Sequence, residues 1–218
     1  MQALDYFDDL TPRSGAEQMA LDEALLLSVS RPVLRHYTWS EPAATFGYGQ
    51  SFAKVREVVP DLPLTRRWTG GGIVRHEGDW TFALIIPAGS EWAEMRPSVT
   101  YERLHVAIVE ALREVGVEAR LADNNTAGLS CFVSPVKHDI LSADGRKLCG
   151  GAQRRTRSGF LHQGSIQGVE LGTDFGKRLA GKLALDVTNF EPPSELLRKA
   201  KSLTLSRYGD DGWLRKVG

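Results

Sequence analysis

Three stretches of the chain carry hydrophobic residues at helical spacing. Between residues 100 and 115 the apolar positions recur every three or four residues, and Gly116 follows as a stop signal. Ser14 and Glu17 form a capping-box pattern that predicts a helix over residues 18–27. A last helix is predicted to begin after Pro192-Pro193-Ser194. The predicted inner faces consist of Leu104, Ile108, Ala111, Leu112 and Val115, of Ala20, Ala24 and Leu27, and of Leu196, Leu197, Ala200 and Leu203.

Other stretches show the patterns that are typical of strands. Residues 33–39 alternate between two sets of side chains, and residues 80–86 form a β-prone apolar run that stops at Pro87. Two further predicted strands are rich in glycine, which favours close packing of the backbone or the approach of a ligand. These two glycine-rich strands are residues 146–153 and 160–167, and one more strand is predicted over residues 62–68.

Composition excludes several classes of function. The 218 residues suffice for one large α/β domain or two small ones, and 42% of them are hydrophobic. The 27 basic and 27 acidic residues balance, which argues against binding to a nucleic-acid backbone. We expect no membrane span, since no apolar run is long enough, and no signal peptide, since residues 1–10 are acidic. Two cysteines argue against a disulfide framework and fit a cytoplasmic protein.

The most informative motif is a glycine triplet, Gly70-Gly71-Gly72, which lies between the pair Arg66-Arg67 and His76. Glycines leave the backbone amides open to a ligand and allow positive φ angles. Neighbouring arginines can bind a carboxylate or a phosphate. The motif therefore predicts a ligand cradle at the edge of a sheet, while a flexible turn beside solvated arginines remains the alternative. The spacing matches neither a P-loop nor a dinucleotide-binding fingerprint.

A second candidate constellation surrounds Lys147, which lies between an Asp-Gly turn and a Gly-Gly pair. Its ammonium group can polarise a carbonyl or hold a phosphate, although a solvated surface lysine is the commoner case. Cys131 becomes a candidate nucleophile if Lys147 lies near it and favours the thiolate. Cys149 is the rival, because regular strand alternation puts it on the same side as Lys147.

The five histidines show no metal-ligand spacing, and no cysteine pair does, so no metal site is predicted. His76 and His162 adjoin the glycine-rich segments and are candidates for the walls of a site.

These motifs together resemble the biotin/lipoate protein ligase and octanoyltransferase superfamily. The resemblance rests on Arg66-Arg67-x-Thr-Gly-Gly-Gly-x-Val-x-His, on Gly-Arg-Lys-x-x-Gly-Gly-Ala-Gln, and on the Gly-Ser that follows His162-Gln163. It runs from about residue 18 to residue 167. The resemblance implies an α/β (α+β) fold, with a mixed central β-sheet flanked by helices, and transfer of a lipoyl or octanoyl group to a lysine of a carrier domain.

The resemblance also implies roles for individual residues. Lys147 would contact the acyl carbonyl, the arginine and glycine motif would cover the carboxyl end of the acyl group, and the second glycine motif would line the opposite wall. Cys131-Phe132-Val133-Ser134-Pro135 is similar to the pattern around the nucleophile of cysteine-dependent octanoyltransferases. The predicted catalytic residues are Cys131 and Lys147, and the predicted substrate-binding residues are Arg66, Arg67, Thr69, Gly70, Gly71, Gly72, His76, Gly150, Gly151, Ala152 and His162.

Three functions remain open within this resemblance. The first is transfer of an octanoyl or lipoyl group from acyl carrier protein through a thioester on Cys131. The second is an ATP-dependent lipoate-protein ligase that acts through lipoyl-AMP. The third is a non-enzymatic carrier-binding relative or a lipoyl amidotransferase.

The expected partners are acyl carrier protein and a lipoyl domain of the glycine cleavage H protein or dehydrogenase E2 type. No tightly bound cofactor is expected, since lipoate or octanoate is the transferred group; ATP and Mg²⁺ would serve only the ligase. Residues 1–168 are predicted to form the catalytic domain and residues 169–218 a short appendage. The sequence departs from the family at Gln163, which stands where a histidine is usual.

Overall fold

The computed structural model describes residues 1–123 and 136–216. Within these residues, eight strands form one large mixed sheet with the order β11-β1-β2-β6-β10-β9-β8-β7. Strand β1 pairs in parallel with β2 and β11, and the pairs from β2 onward to β7 are antiparallel. The strands are β1 (Ala3–Arg13), β2 (Val33–Trp39), β6 (Trp80–Pro87), β7 (Ala119–Leu121), β8 (Ile140–Ser142), β9 (Lys147–Thr156), β10 (Gly159–Ile166) and β11 (Asp186–Asn189).

A small sheet carries the glycine triplet. Its order is β4-β3-β5, with β3 parallel to β4 and antiparallel to β5. The triplet connects β4 to β5, and the start of the first helix packs against β4, where Gly15 lies directly against Thr65. The strands are β3 (Ala43–Phe46), β4 (Leu64–Arg66) and β5 (Val74–His76).

Helices cover both faces of the large sheet. One apolar cluster joins α4 and α5 to one face, and a second cluster joins α1 and α6 to the other face. The Ser14–Glu17 capping box begins α1, and Pro97 in the first turn begins α4. The helices are α1 (Gly15–Leu26), α2 (Phe52–Val58), α3 (Glu91–Glu94), α4 (Pro97–Glu114), α5 (Phe175–Leu183), α6 (Ser194–Leu203) and α7 (Asp211–Leu214), with a π-helical turn at Thr204–Tyr208.

The fold-class prediction is confirmed, because a mixed sheet is flanked by helices. The predicted helices and strands are also present, with shifts of a few residues at their ends. The segment after residue 168 supplies α5 to one apolar cluster and β11 to the edge of the large sheet. The domain boundary at residue 168 stays a prediction. No helix of the described part is long and apolar enough to cross a membrane.

Candidate active site

A cavity of about 140 Å³ lies on the α1 side of the large sheet, between β9, β10 and the glycine-triplet loop. It brings together residues that are far apart in the sequence. Seven of the predicted site residues line it: Arg67, Gly71, His76, Lys147, Gly150, Gly151 and Ala152. Sequence reasoning did not assign a role to further lining residues, which include Met19, Tyr37, Thr45, Asp139, Gln163 and Ser165.

Lys147 is the cation at the β9 wall. Its side chain is 5% exposed, and Nζ lies 2.7 Å from Oδ2 of Asp139. The carboxylate of Asp139 also accepts hydrogen bonds from the Tyr101 hydroxyl, at 2.5 Å, and from the Val136 amide, at 2.8 Å. A buried ion pair is sustained only when such additional hydrogen bonds satisfy the charges. The ammonium group is therefore held in a defined place at the cavity wall.

A β-bulge separates Lys147 from Cys149. Ile140 pairs with Cys149 whereas Leu141 pairs with Lys147, so the register shifts at this point. A Cβ added at Gly150 would lie 2.6 Å from Lys147 Nζ, which places the lysine over the cavity face of the strand. Cys149 is fully buried on the other face of the sheet, in the apolar cluster that joins α4 and α5 to it; we call this the α4 cluster. The expectation from regular alternation, that Lys147 and Cys149 lie on the same side, is therefore wrong.

Burial also makes Cys149 a poor nucleophile. It raises the pKa of the Cys149 thiol above its ordinary value, and the charge of Asp139 adds to this effect. A thiol with a raised pKa forms little thiolate at neutral pH. Cys131, the predicted nucleophile, lies outside the described residues.

The two neighbouring arginines of the triplet motif have different roles. Arg67 lines the cavity, donates to the Thr45 hydroxyl at 2.8 Å, and donates to the carbonyls of Gly70 and Gly72 at 2.9 and 2.8 Å. The guanidinium group thus shapes the loop from inside. Gly71 adopts φ = 87°, and Gly47 passes so close to its carbonyl that a Cβ would collide at 2.0 Å.

Arg66 does not line the cavity, and its assignment as a substrate-binding residue stays a prediction. Its buried guanidinium group donates to five backbone carbonyls, at distances of 2.6 to 3.1 Å. These donors hold the end of α7 against the loop after β3, so they are occupied by the protein itself. The acceptors are the carbonyls of Tyr48, Gln50, Trp213, Leu214 and Lys216.

The remaining glycines and Thr69 support the loop rather than line the cavity. Thr69 is fully buried and donates to Oε1 of Gln163 at 2.8 Å. Gln163 in turn donates to Oδ2 of Asp22 at 2.7 Å. Gly70 is exposed, and Gly72 contributes its carbonyl to Arg67. Thr69, Gly70 and Gly72 do not line the cavity, and their assignment as substrate-binding residues stays a prediction.

His76 lies at the cavity wall as part of a hydrogen-bonded chain. Its Nδ1 donates to Oδ2 of Asp79 at 2.8 Å, and its Nε2 lies 2.9 Å from the Thr45 hydroxyl. Burial alone would raise the pKa of Asp79, but the hydrogen bond and charge of His76, with the hydroxyls of Ser165 and Thr81, hold this pKa below its ordinary value. Trp39 stacks on the imidazole at 3.9 Å. The ring is thereby fixed in one orientation.

His162 lies on the opposite face of the sheet and does not line the cavity, so a role for it in binding substrate stays a prediction. A Cβ added at Gly151 would lie 2.2 Å from its Nε2, and the ring packs among Phe82, Tyr101 and His105. Burial holds the pKa of His162 well below its ordinary value, with a smaller contribution from His105. The neighbour on the cavity face is Gln163, as strand alternation requires.

No group of three or more potential metal ligands occurs among residues 1–123 and 136–216. The charged groups at the cavity instead form pairs and short hydrogen-bonded chains. This arrangement suits a substrate with a polar carbonyl end and an uncharged remainder, because the fixed cation of Lys147 lies beside a wall without side-chain charge at Gly150, Gly151 and Ala152.

Curated relatives of the chain carry the name octanoyltransferase LipM. The protein of Carboxydothermus hydrogenoformans is 34% identical over 176 residues, which cover 73% of this chain and 63% of the relative. The protein of Bacillus subtilis is 33% identical over 180 residues, which cover 73% of this chain and 64% of the relative. The matched region thus spans less than two thirds of the length of these relatives.

Solved structures share the fold over nearly the whole chain. Ta0514 of T. acidophilum with bound lipoic acid superposes with a TM-score of 0.79 at 20% identity, covering 99% of both chains. Lipoate-protein ligase A bound with ATP superposes with a TM-score of 0.78 at 20% identity, covering 100% of both chains. A bipartite lipoate protein ligase from Thermoplasma acidophilum, described with its E2 lipoyl domain, gives 0.77 at 18% identity and covers 100% of this chain and 98% of that chain.

The family model of the lipoyl protein ligase A/B catalytic domain matches residues 14–171. This range includes the strands of the cavity wall and the glycine-triplet loop that covers it. The resemblance to the biotin/lipoate ligase superfamily is confirmed, and the chain belongs to the lipoyl protein ligase A/B catalytic domain family.

Proposed function

We propose that the protein transfers an octanoyl or lipoyl group from a carrier thioester to a lysine of a lipoyl carrier domain, through a thioester on Cys131. The observation that carries this proposal is Lys147, fixed by Asp139 at the wall of a cavity with an adjoining glycine-rich face. The similarity to LipM octanoyltransferases supports the acyl group and the type of reaction.

In the first step, the Cys131 thiolate attacks the carbonyl carbon of the donor thioester. The carbon–sulfur bond to the donor breaks, and the donor thiolate leaves and takes up a proton. In the second step, the acceptor amine attacks the acyl-Cys131 carbonyl, loses a proton and expels the Cys131 thiolate. Each tetrahedral intermediate carries a negative oxygen, and the Lys147 ammonium group would stabilise it.

The walls of the cavity would position the acyl group for both steps. Gly150, Gly151 and Ala152 let the chain lie close to β9, while Arg67 and Gly71 would close the carboxyl end from the other side. The proposed chemistry needs no metal and no tightly bound cofactor, since the donor thioester is already activated. ATP and Mg²⁺ would be required only if the acid itself were activated.

Residues lining the cavity lie between Met19 and Ser165, which supports the assignment of residues 1–168 as the catalytic unit. The proposed donor is acyl carrier protein, and the proposed acceptor is a lipoyl domain of the H-protein or E2 type. The name of one structural neighbour, which pairs a lipoate protein ligase with its E2 lipoyl domain, supports the type of acceptor. The free thiol of Cys149 supports a cytoplasmic location.

Intact-protein mass spectrometry after incubation with octanoyl-acyl carrier protein tests the proposal. Wild type and Cys149→Ser should gain one octanoyl group, and Cys131→Ser should gain none. An adduct that survives in Cys131→Ser would contradict the assignment of the nucleophile. Absence of an adduct on wild type, with carrier modification from lipoate and ATP, would establish the ligase instead. Carrier binding without modification from either donor would leave the amidotransferase or non-enzymatic relative.

A further inference from the structure

A cationic and aromatic surface adjoins the cavity on the side of the glycine triplet. We call it the collar and define it as Tyr48, Trp68, Arg154 and Lys216. Arg154 follows Ala152 by two positions on β9, so the two side chains lie on the same face, about 7 Å apart along the strand. The amide of Tyr48 donates to the Thr69 carbonyl at 2.9 Å, which joins the collar to the triplet loop.

The collar carries positive charge without matching carboxylates. The Arg154 guanidinium group lies 5.4 Å from the centroid of the Tyr48 ring and 5.3 Å from that of Trp68. Lys216 Nζ donates to the Tyr48 hydroxyl at 2.8 Å, and this hydrogen bond is the main cause of the lowered pKa of Tyr48. Among the described residues, no carboxylate forms an ion pair with Arg154 or Lys216, whereas the nearby Arg207 and Arg215 are paired with Glu23 and Asp211.

The length of a lysine side chain determines how close an acceptor domain must come to the cavity. A lysine side chain has a four-carbon stem and reaches only about 6 Å from its backbone. The body of an acceptor domain that inserts its lysine must therefore lie directly on the cavity rim. The collar adjoins this rim on one side, because Arg154 follows the lining residue Ala152 on β9 and Tyr48 is hydrogen-bonded to Thr69, two residues before the lining Gly71. A cationic rim favours a partner that carries acidic side chains around the lysine it inserts.

We infer that the collar is the docking surface for the acceptor domain and that it recognises acidic side chains around the acceptor lysine. This inference rests on the proposed function for the identity of the acceptor. It assigns Arg154 and Lys216 to recognition of the acceptor and not to the chemistry on the acyl group. The aromatic rings of Tyr48 and Trp68 hold the Arg154 guanidinium group over the rim.

Two measurements separate docking from catalysis. Isothermal titration calorimetry would measure binding of an unmodified lipoyl domain, which needs no turnover. Intact mass spectrometry would measure the rate of octanoyl adduct formation from octanoyl-acyl carrier protein, which needs no acceptor. The variants are Arg154→Glu and Lys216→Glu. Arg103→Glu is the control, because this exposed cation lies on α4, which covers the opposite face of the sheet.

Each collar variant should weaken lipoyl-domain binding about tenfold, and the affinity of wild type should fall with added salt. Adduct formation should remain as in wild type, and Arg103→Glu should leave both quantities unchanged. Unchanged lipoyl-domain binding in both collar variants would overturn the inference. So would slower adduct formation with unchanged lipoyl-domain binding, since the collar would then serve the donor. If wild type forms no adduct but binds the lipoyl domain through the collar, the proposed transfer fails while the docking surface stands.

Discussion

The two faces of β9 and β10 serve different purposes although they share the same strands. On the cavity face, Lys147 and Gln163 are fixed by hydrogen bonds or ion pairs and border open space. On the opposite face, Cys149 is fully buried in the α4 cluster, and His162 is fully buried beside Phe82 of the same cluster. Alternation along β10 and the bulge between Lys147 and Cys149 on β9 together separate the cavity face from the α4 face. Substitutions on the cavity face should affect the reaction, and substitutions on the α4 face should affect stability.

Replacing Lys147 should give the largest effect. Lys147→Met should slow octanoyl adduct formation about 100-fold or more, because an oxyanion loses its fixed cation. The rate of adduct formation, measured by intact mass spectrometry, checks this.

The same substitution leaves Asp139 without its cation, so misfolding must be separated from loss of chemistry. The double variant Lys147→Met/Asp139→Asn removes both charges and should melt near wild type while remaining inactive. A folded double variant with the wild-type rate would exclude Lys147 from the reaction.

Arg66, the first arginine of the triplet motif, should affect stability and not the reaction. Arg66→Gln should lower the free energy of unfolding by about 3 kcal/mol, since several charge-assisted hydrogen bonds to buried carbonyls are lost. Hydrogen exchange should show loss of protection around α7, and urea unfolding would measure the stability. The folded variant should still form the adduct. Full stability together with loss of adduct formation would instead return Arg66 to the substrate.

Histidines of the α4 face should make stability sensitive to acid. Burial lowers the pKa of His105 from 6.5 to about 4. Between these two pH values the unfolded chain binds a proton at His105 that the folded protein does not. The stability that neutral His105 contributes is therefore complete above pH 6.5 and is lost as the pH falls toward 4. When the pH falls from 7 to 5, this histidine should lower the free energy of unfolding by about 2 kcal/mol. Urea unfolding at both pH values should show a smaller loss for His105→Asn, and an equal loss would contradict the assignment.

Periodicity predicted the elements with a strong pattern and missed those without one. Residues 33–39 alternate clearly, and the predicted strand agrees with β2. Strand β1 was missed because Asp5, Asp8 and Asp9 interrupt its apolar residues. Strand β11 is short and all of its residues are exposed, so its sequence shows no alternation of buried hydrophobic and exposed polar residues.

The candidate site was predicted in part. The family motifs correctly brought Arg67, Gly71 and Lys147 to one cavity, although they are distant in sequence. Gln163 and Ser165 are two positions apart on β10 and both line the cavity, so strand alternation puts His162 on the other face. Alternation could not predict the side of Lys147, because a bulge interrupts it. Nothing in the local sequence marks Asp139, whose role depends on the approach of β9 to the segment before β8.

Adjacent glycines of β9 offer the most direct test of the division between chemistry and folding. An added methyl group at Gly150 meets the flexible end of Lys147, whereas one at Gly151 meets the His162 ring and the Gln163 backbone. The measurement is the rate of octanoyl adduct formation together with the free energy of unfolding, for Gly150→Ala and Gly151→Ala. Gly150→Ala should lose about tenfold or more in rate, while Gly151→Ala should lose more than about 2 kcal/mol of stability. A stable Gly151→Ala, or a Gly150→Ala that keeps the wild-type rate, would contradict the account.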